Sequence, residues 1–133
     1  MHEYAYWQTA TLLRRLANET SKTARASDAD AVHDLRVAIR RMKTCLGLFG
    51  RFYPGPGKKE LKKKLKHLMH ACAEVRDRDI ALELLTEAGA PSTAAAVRRL
   101  SAERTAAERD LANELKRWKS GRSISQWRAC LEL

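Results

Sequence analysis

The chain has 133 residues, with 26 Lys and Arg against 16 Asp and Glu, a formal charge of +10 and an isoelectric point near 10.0. That is the size of one small domain, and its charge directs it to an acidic partner: nucleic acid, an anionic membrane surface or a phosphate polymer. No apolar run approaches the ~20 residues of a bilayer span, and Met1-His2-Glu3-Tyr4 lacks the basic-then-apolar layout of a signal peptide.

Only 6 glycines and 3 prolines interrupt a sequence rich in alanine, leucine, arginine, lysine and glutamate, so the expected fold class is all-α. The first helix is predicted from about Glu3 to Arg25, with Trp7, Leu12, Leu13 and Leu16 as its apolar residues. Ser27-Asp28-Ala29-Asp30 supplies N-cap chemistry for a second helix that reaches about Phe52 and ends before Pro54-Gly55-Pro56-Gly57. The third begins in the lysine cluster at Lys58 and continues to about Ala88, with Leu61, Leu65, Leu68, Cys72 and Val75 as its core stripe. Gly89-Ala90-Pro91-Ser92 stops it, and Ser92 caps a fourth helix over Thr93 to Lys119, whose stripe is Val97, Leu100, Ala107, Leu111, Leu115 and Trp118.

After Ser120-Gly121 comes a short amphipathic helical tail in which Ile124, Trp127 and Leu131 share a face. Four long helices with short breaks predict an antiparallel four-helix bundle over residues 1–119, followed by the tail at 120–133. Cys45, Cys72 and Cys130 have neither metal-ligand nor redox spacing; Cys45 and Cys72 fall on apolar faces and read as core residues in a reducing cytoplasm.

The stretch His33 to Lys43 carries most of the functional information. Steps of three and four put His33, Arg36, Arg40 and Lys43 on one helix face, opposite Leu35, Ala38, Ile39, Met42, Cys45, Leu46 and Phe49. A solvated face ordinarily mixes charge signs one turn apart, whereas this one is cationic throughout. Like charges that close repel, so the stripe fits a linear polyanion laid along it. On the third helix Lys59, Lys62, Lys66 and His70 follow the same spacing and are expected to form a second basic wall, with Lys63 and His67 on its flank. Arg41 lies off the first stripe, toward Leu48, and is expected to join the groove from the side.

Two motifs resemble the start of a CHAD domain, the conserved histidine α-helical domain: Val32-His33-Asp34-Leu35-Arg36-Val37-Ala38-Ile39-Arg40-Arg41, and Val75-Arg76-Asp77-Arg78-Asp79-Ile80, which is similar to the family's V-R-D-x-D-V. The resemblance covers roughly residues 5 to 118. It implies a helical module that binds inorganic polyphosphate through basic residues, in a family with some members attached to triphosphate-tunnel catalytic domains and others found on polyester storage granules. Ala73 stands where a glycine is common and Ile80 where the family has valine. Family domains usually pair two related bundles across a basic cavity, and only one His-x-x-Arg helix is present here. A two-fold homodimer would place two copies of the His33 helix face to face, with the apolar tail around Trp127 covering the interface.

The expected polyphosphate contacts are therefore His33, Arg36, Arg40, Arg41, Lys43, Lys59, Lys62, Lys66, His70 and Arg76. Arginine's planar fork gives two hydrogen bonds to one phosphate, and lysine a compact point charge. His33 is expected to donate to phosphate more strongly at mildly acid pH. Asp79 falls on the apolar side of its helix, where it is expected to pair with Arg36 or Arg76 and to orient the basic site.

His67 and His70 are crowded by lysines, with no carboxylate at ligand spacing, so no metal and no cofactor are expected. Asp34, Asp77 and Asp79 are the only carboxylates near the stripe, and no nucleophile–base pair or phosphate loop accompanies them, so no enzyme is expected. The alternatives are a nucleic-acid or general polyanion binder and a scaffold or granule-surface protein. Nucleic acid is expected to bind only weakly, since no aromatic platform is interleaved with the basic stripe.

Overall fold

The structure is a computed structural model that describes residues 2–133. It is all-helical, with no strand among the described residues. Its helices are α1 (His2–Arg25), α2 (Ala29–Phe49), α3 (Gly55–Glu87), α4 (Ala95–Ser120) and α5 (Ile124–Cys130), with a single 3-10 turn at Gly50–Phe52.

The ends follow local chemistry. Asp28 caps α2 by accepting from the Ala31 N–H at 2.8 Å. The second helix stops at Phe49, short of the expected Phe52, because the chain tightens into the 3-10 turn before Tyr53 turns away. Gly55 to Gly57 form the first turn of α3 rather than a separate breaker: proline is tolerated there because the first-turn N–H groups have no helical partner. Ser92 is not the cap of α4; the chain turns once more and the helix opens at Ala95 without a side-chain cap. Ser123 and Gln126 close a reciprocal capping box on α5.

α1 packs along α2, α2 along α3, and α3 along α4. The core is continuous from Leu12, Leu13 and Leu16 through Leu35, Ile39, Met42 and Leu46 to Leu61, Leu65, Leu68 and Leu111. Cys45 and Cys72 are buried in it, as their positions on the apolar faces predict. At its base the Tyr53 hydroxyl donates to the Ala5 carbonyl at 3.0 Å and bonds Thr9, whose hydroxyl lies 3.2 Å from the Cys45 Sγ. Burying those polar groups is tolerable because each is partnered.

α5 closes the same end. Trp127 is 1% exposed and stacks on Trp118 with ring centroids 5.8 Å apart. A Cβ on Gly57 would meet the Cys130 carbonyl oxygen at 2.5 Å, so only glycine lets the two backbones approach this closely. The tail around Trp127 is thus consumed by its own core, which leaves that side chain no surface to offer a second copy.

One departure matters for function. Trp7, expected among the apolar core residues of α1, is 63% exposed.

Candidate functional site

The face of α2 away from the core carries His33, Arg40 and Lys43 in solvent and Arg36 half-buried. Gly47 continues the row one turn further, with open space where a side chain would stand. Among the described residues none of these four side chains has a carboxylate within ion-pair distance, and the Arg36 Nε is buried with no hydrogen-bond acceptor.

α2 packs along α3, and one hydrogen bond and one through-space charge effect mark how they run past each other. The Lys58 Nζ reaches the Gly50 carbonyl at 3.4 Å. At the other end the Arg36 charge is felt by the Cys72 thiol, which burial nonetheless pushes up to about 12. Fourteen residues separate Gly50 from Arg36 and fourteen separate Lys58 from Cys72, so the helices are antiparallel and in register. By that register Lys43 stands level with Leu65, between Lys62 and Lys66, and His33 stands level with Val75, the residue before Arg76. Lys59, Lys62 and Lys66 are exposed and Arg76 half-buried; none is paired with a carboxylate among the described residues.

Three of the expected residues sit elsewhere. Arg41 follows Asp34 by two turns and so shares its direction. Asp34 accepts from Lys22 of α1 at 2.7 Å, which places Arg41 on the α1 side, away from α3. That bond holds the Asp34 carboxyl below the usual carboxylate range and the Lys22 ammonium above its own. His70 leans toward α4, 4.0 Å from Glu74, and lines a cavity of about 650 Å³ with Lys66, His67, Asp110, Glu114 and Arg117.

Asp79 pairs with neither Arg36 nor Arg76. Its Oδ1 accepts from the Arg104 Nε of α4 at 2.6 Å, and its Oδ2 is buried without a partner. Arg104 also donates to Glu108 at 2.7 Å and to the Ser27 carbonyl at 3.0 Å, and the Ser27 hydroxyl donates to Glu108. The bond from Asp79 raises the Arg104 guanidinium above its ordinary value. One knot therefore ties α3, α4 and the α1–α2 connection together. The signal for it is in the sequence: Arg104 interrupts the apolar stripe of α4 one turn after Leu100 and a turn before Ala107, and an arginine at a core position requires a buried partner. With Asp79 held by α4, Arg36 has no acid of its own.

A family model, the CHAD domain, matches residues 8–133. No curated protein and no solved structure matches the chain.

Proposed function

The chain belongs to the CHAD domain family, which is associated in general with polyphosphate binding, and on that premise we propose that it binds inorganic polyphosphate in a groove between α2 and α3 without cleaving it. The observation that carries this reading is Arg36: a guanidinium with a buried Nε and no acceptor, in a row of cations that no carboxylate balances. A buried charge-bearing donor without a partner is costly, and a phosphate oxygen supplies the missing acceptor. His33, Arg40 and Lys43 extend the contact one helical turn at a time along α2, about 5.4 Å per turn. Lys62 and Arg76 extend the basic surface onto α3, and Lys66 stands at its margin, where it also lines the cavity beside α4. Lys59 continues that surface at its lower end, while Arg41 and His70 take no part.

A binding role rather than hydrolysis is supported by the carboxylates. Asp34 is taken by Lys22 and Asp79 by Arg104, which leaves Asp77 as a lone carboxylate where phosphoanhydride cleavage ordinarily requires a cluster to hold its metal ions. We read the pairing of α1 to α4 as an antiparallel four-helix bundle, closed at one end by α5. A homodimer that encloses the polyanion remains part of the proposal, with its contact moved off the Trp127 tail. α3 has 33 residues against 21 in α2. The last fully buried residue of α3 is Val75 and the first of α4 is Ala107. Beyond them the two helices overhang by roughly 18 Å, with Ile80 38% and Leu84 60% exposed. That apolar end is the surface a second copy would take.

The test is titration with polyphosphate at near-physiological salt, against double-stranded DNA of equal phosphate concentration. Wild type binds polyphosphate the more tightly, and Arg36→Ala/Arg40→Ala loses at least tenfold. Equal affinity for both polymers, or a variant that binds as wild type does, refutes the reading.

A further inference from the structure

The end of the molecule built from the start of α1 and the finish of α2 carries a second functional surface. Tyr4, Trp7 and Leu48 are 56%, 63% and 69% exposed. The Tyr4 ring lies 6.4 Å from Trp7 and 6.2 Å from Phe49, which joins the start of α1 to the last turn of α2, and Leu48 stands exposed in that same last turn. Tyr4, Trp7 and Leu48 are among the most exposed large apolar side chains of the chain, and two of them are aromatic.

Cations surround them. Arg14 and Arg128 flank Trp7 across a small hollow of about 220 Å³. Arg41, which the polyphosphate groove does not use, precedes Leu48 by two turns and so shares its side of α2. The Arg51 guanidinium sits 5.0 Å from the Phe52 ring beside it. Each of these arginines is exposed, and none has a carboxylate within ion-pair distance among the described residues. Glu3 is the only acid in the first two turns of α1.

We propose that this patch docks the protein on the surface of an anionic lipid bilayer. Tryptophan and tyrosine favour the headgroup layer, where the ring is apolar and the N–H or O–H stays wet. Arginines at the same depth take lipid phosphates with two-pronged hydrogen bonds. Leu48 separates a bilayer from the other polyanion that aromatic and basic groups together attract. Single-stranded nucleic acid would stack bases on Trp7 and Tyr4 but leave this leucine in water, whereas acyl chains cover it. The docking is peripheral, since no described helix is long and apolar enough to cross a membrane. Arg36 and Arg41 lie on opposite flanks of α2, so a chain seated this way keeps its α2–α3 edge free.

The experiment is flotation with vesicles of phosphatidylglycerol and phosphatidylcholine, compared with phosphatidylcholine alone, and with quenching of tryptophan by brominated acyl chains. Wild type floats with the anionic vesicles only. Trp7→Ala/Leu48→Gln lowers the bound fraction at least tenfold, since loss of apolar insertion and headgroup anchoring act together. Both positions are exposed, so helix content by circular dichroism stays at the wild-type level; Leu48→Gln alone decides the matter if the double variant loses helix. Arg36→Ala/Arg40→Ala still floats, which separates this surface from the polyphosphate groove whether or not that groove binds its polymer. Flotation lost in Arg36→Ala/Arg40→Ala but kept in Trp7→Ala/Leu48→Gln overturns the proposal. So does protection of Trp7 by an oligothymidylate with no quenching from the vesicles.

Discussion

The two flanks of α3 treat charge in opposite ways. On the side facing α4, Arg78 is bonded to Glu74 and Glu103, Arg104 to Asp79 and Glu108, and Arg117 to Glu114. Away from α4, Lys62 and Arg76 of α3 and Arg36, Arg40 and Lys43 of α2 have no acid within ion-pair distance among the described residues. The first flank is electrostatically complete within the chain, and its ion pairs serve to hold two helices in register. The second is left in deficit, and such a deficit persists only where something outside the chain removes it or where water screens it.

That contrast can be broken by mutation. The largest effect on stability belongs to Arg104→Met, which strands Asp79 in a nearly closed site and costs about 3–5 kcal/mol in denaturant unfolding; adding Asp79→Leu recovers most of the loss. Arg36→Ala in the same assay leaves stability unchanged or slightly higher, because it relieves repulsion. A cost for Arg36→Ala comparable with that of Arg104→Met would mean the two flanks are alike.

Affinity changes on the same scale. Arg36→Ala/Arg40→Ala loses about 3–6 kcal/mol of polyphosphate binding, from two charge-assisted hydrogen bonds worth about 1.5–3 kcal/mol each. Its plot of log K against log salt flattens by about 0.7 for each cation removed. An intermediate effect is expected for His33→Ala, which removes one hydrogen-bond donor from the row and weakens polyphosphate binding several-fold; a variant that binds as wild type does removes His33 from the contacts.

Smaller still is the alkaline response of Cys72. Its thiol is pushed up to about 12 in the folded chain, while an unfolded cysteine ionises near 8.5. The folded state therefore holds the proton longer, and stability present below about pH 8.5 is lost as pH rises toward 12. Cys72→Ala flattens that part of the melting-temperature profile. The least change is expected from Asp34→Asn, because the Lys22 pair is fully exposed: its contribution disappears at high salt and as acid protonates Asp34.

How much of this was legible beforehand differs by scale. The five helical segments and the core stripes of α1 to α3 follow from apolar spacing, since burial is decided by period. The basic row on α2 is equally visible, because four cations at helical spacing need no tertiary information. What spacing cannot give is which neighbour a side face meets. Asp79 was recognisable as a buried acid, but its partner is on α4, decided by how α3 and α4 align. His70 and Lys62 look alike in the sequence; a rotation of less than a quarter turn around α3 sends one toward Glu74 and Asp110 and the other toward α2. Trp7 shows the converse limit. Its apolar character predicts burial, yet at 100° per residue it lies half a turn from Leu16 and well away from Leu12 and Leu13, so the spacing itself puts it on the outer face of α1.

The overhang of α3 and α4 also sets where the molecule opens. Past Asp79 and before Arg104 neither helix is clamped by more than its single neighbour, so the amides of 80–87 and 95–101 exchange with solvent through local fraying. Those between Leu61 and Val75 wait for the whole fold to come apart. The Asp79–Arg104 bond stands at the boundary, a hinge-pin between a slow-exchanging body and a fast-exchanging arm. Anything that grips the arm will be seen first as a slowing of those amides, before any change in melting temperature.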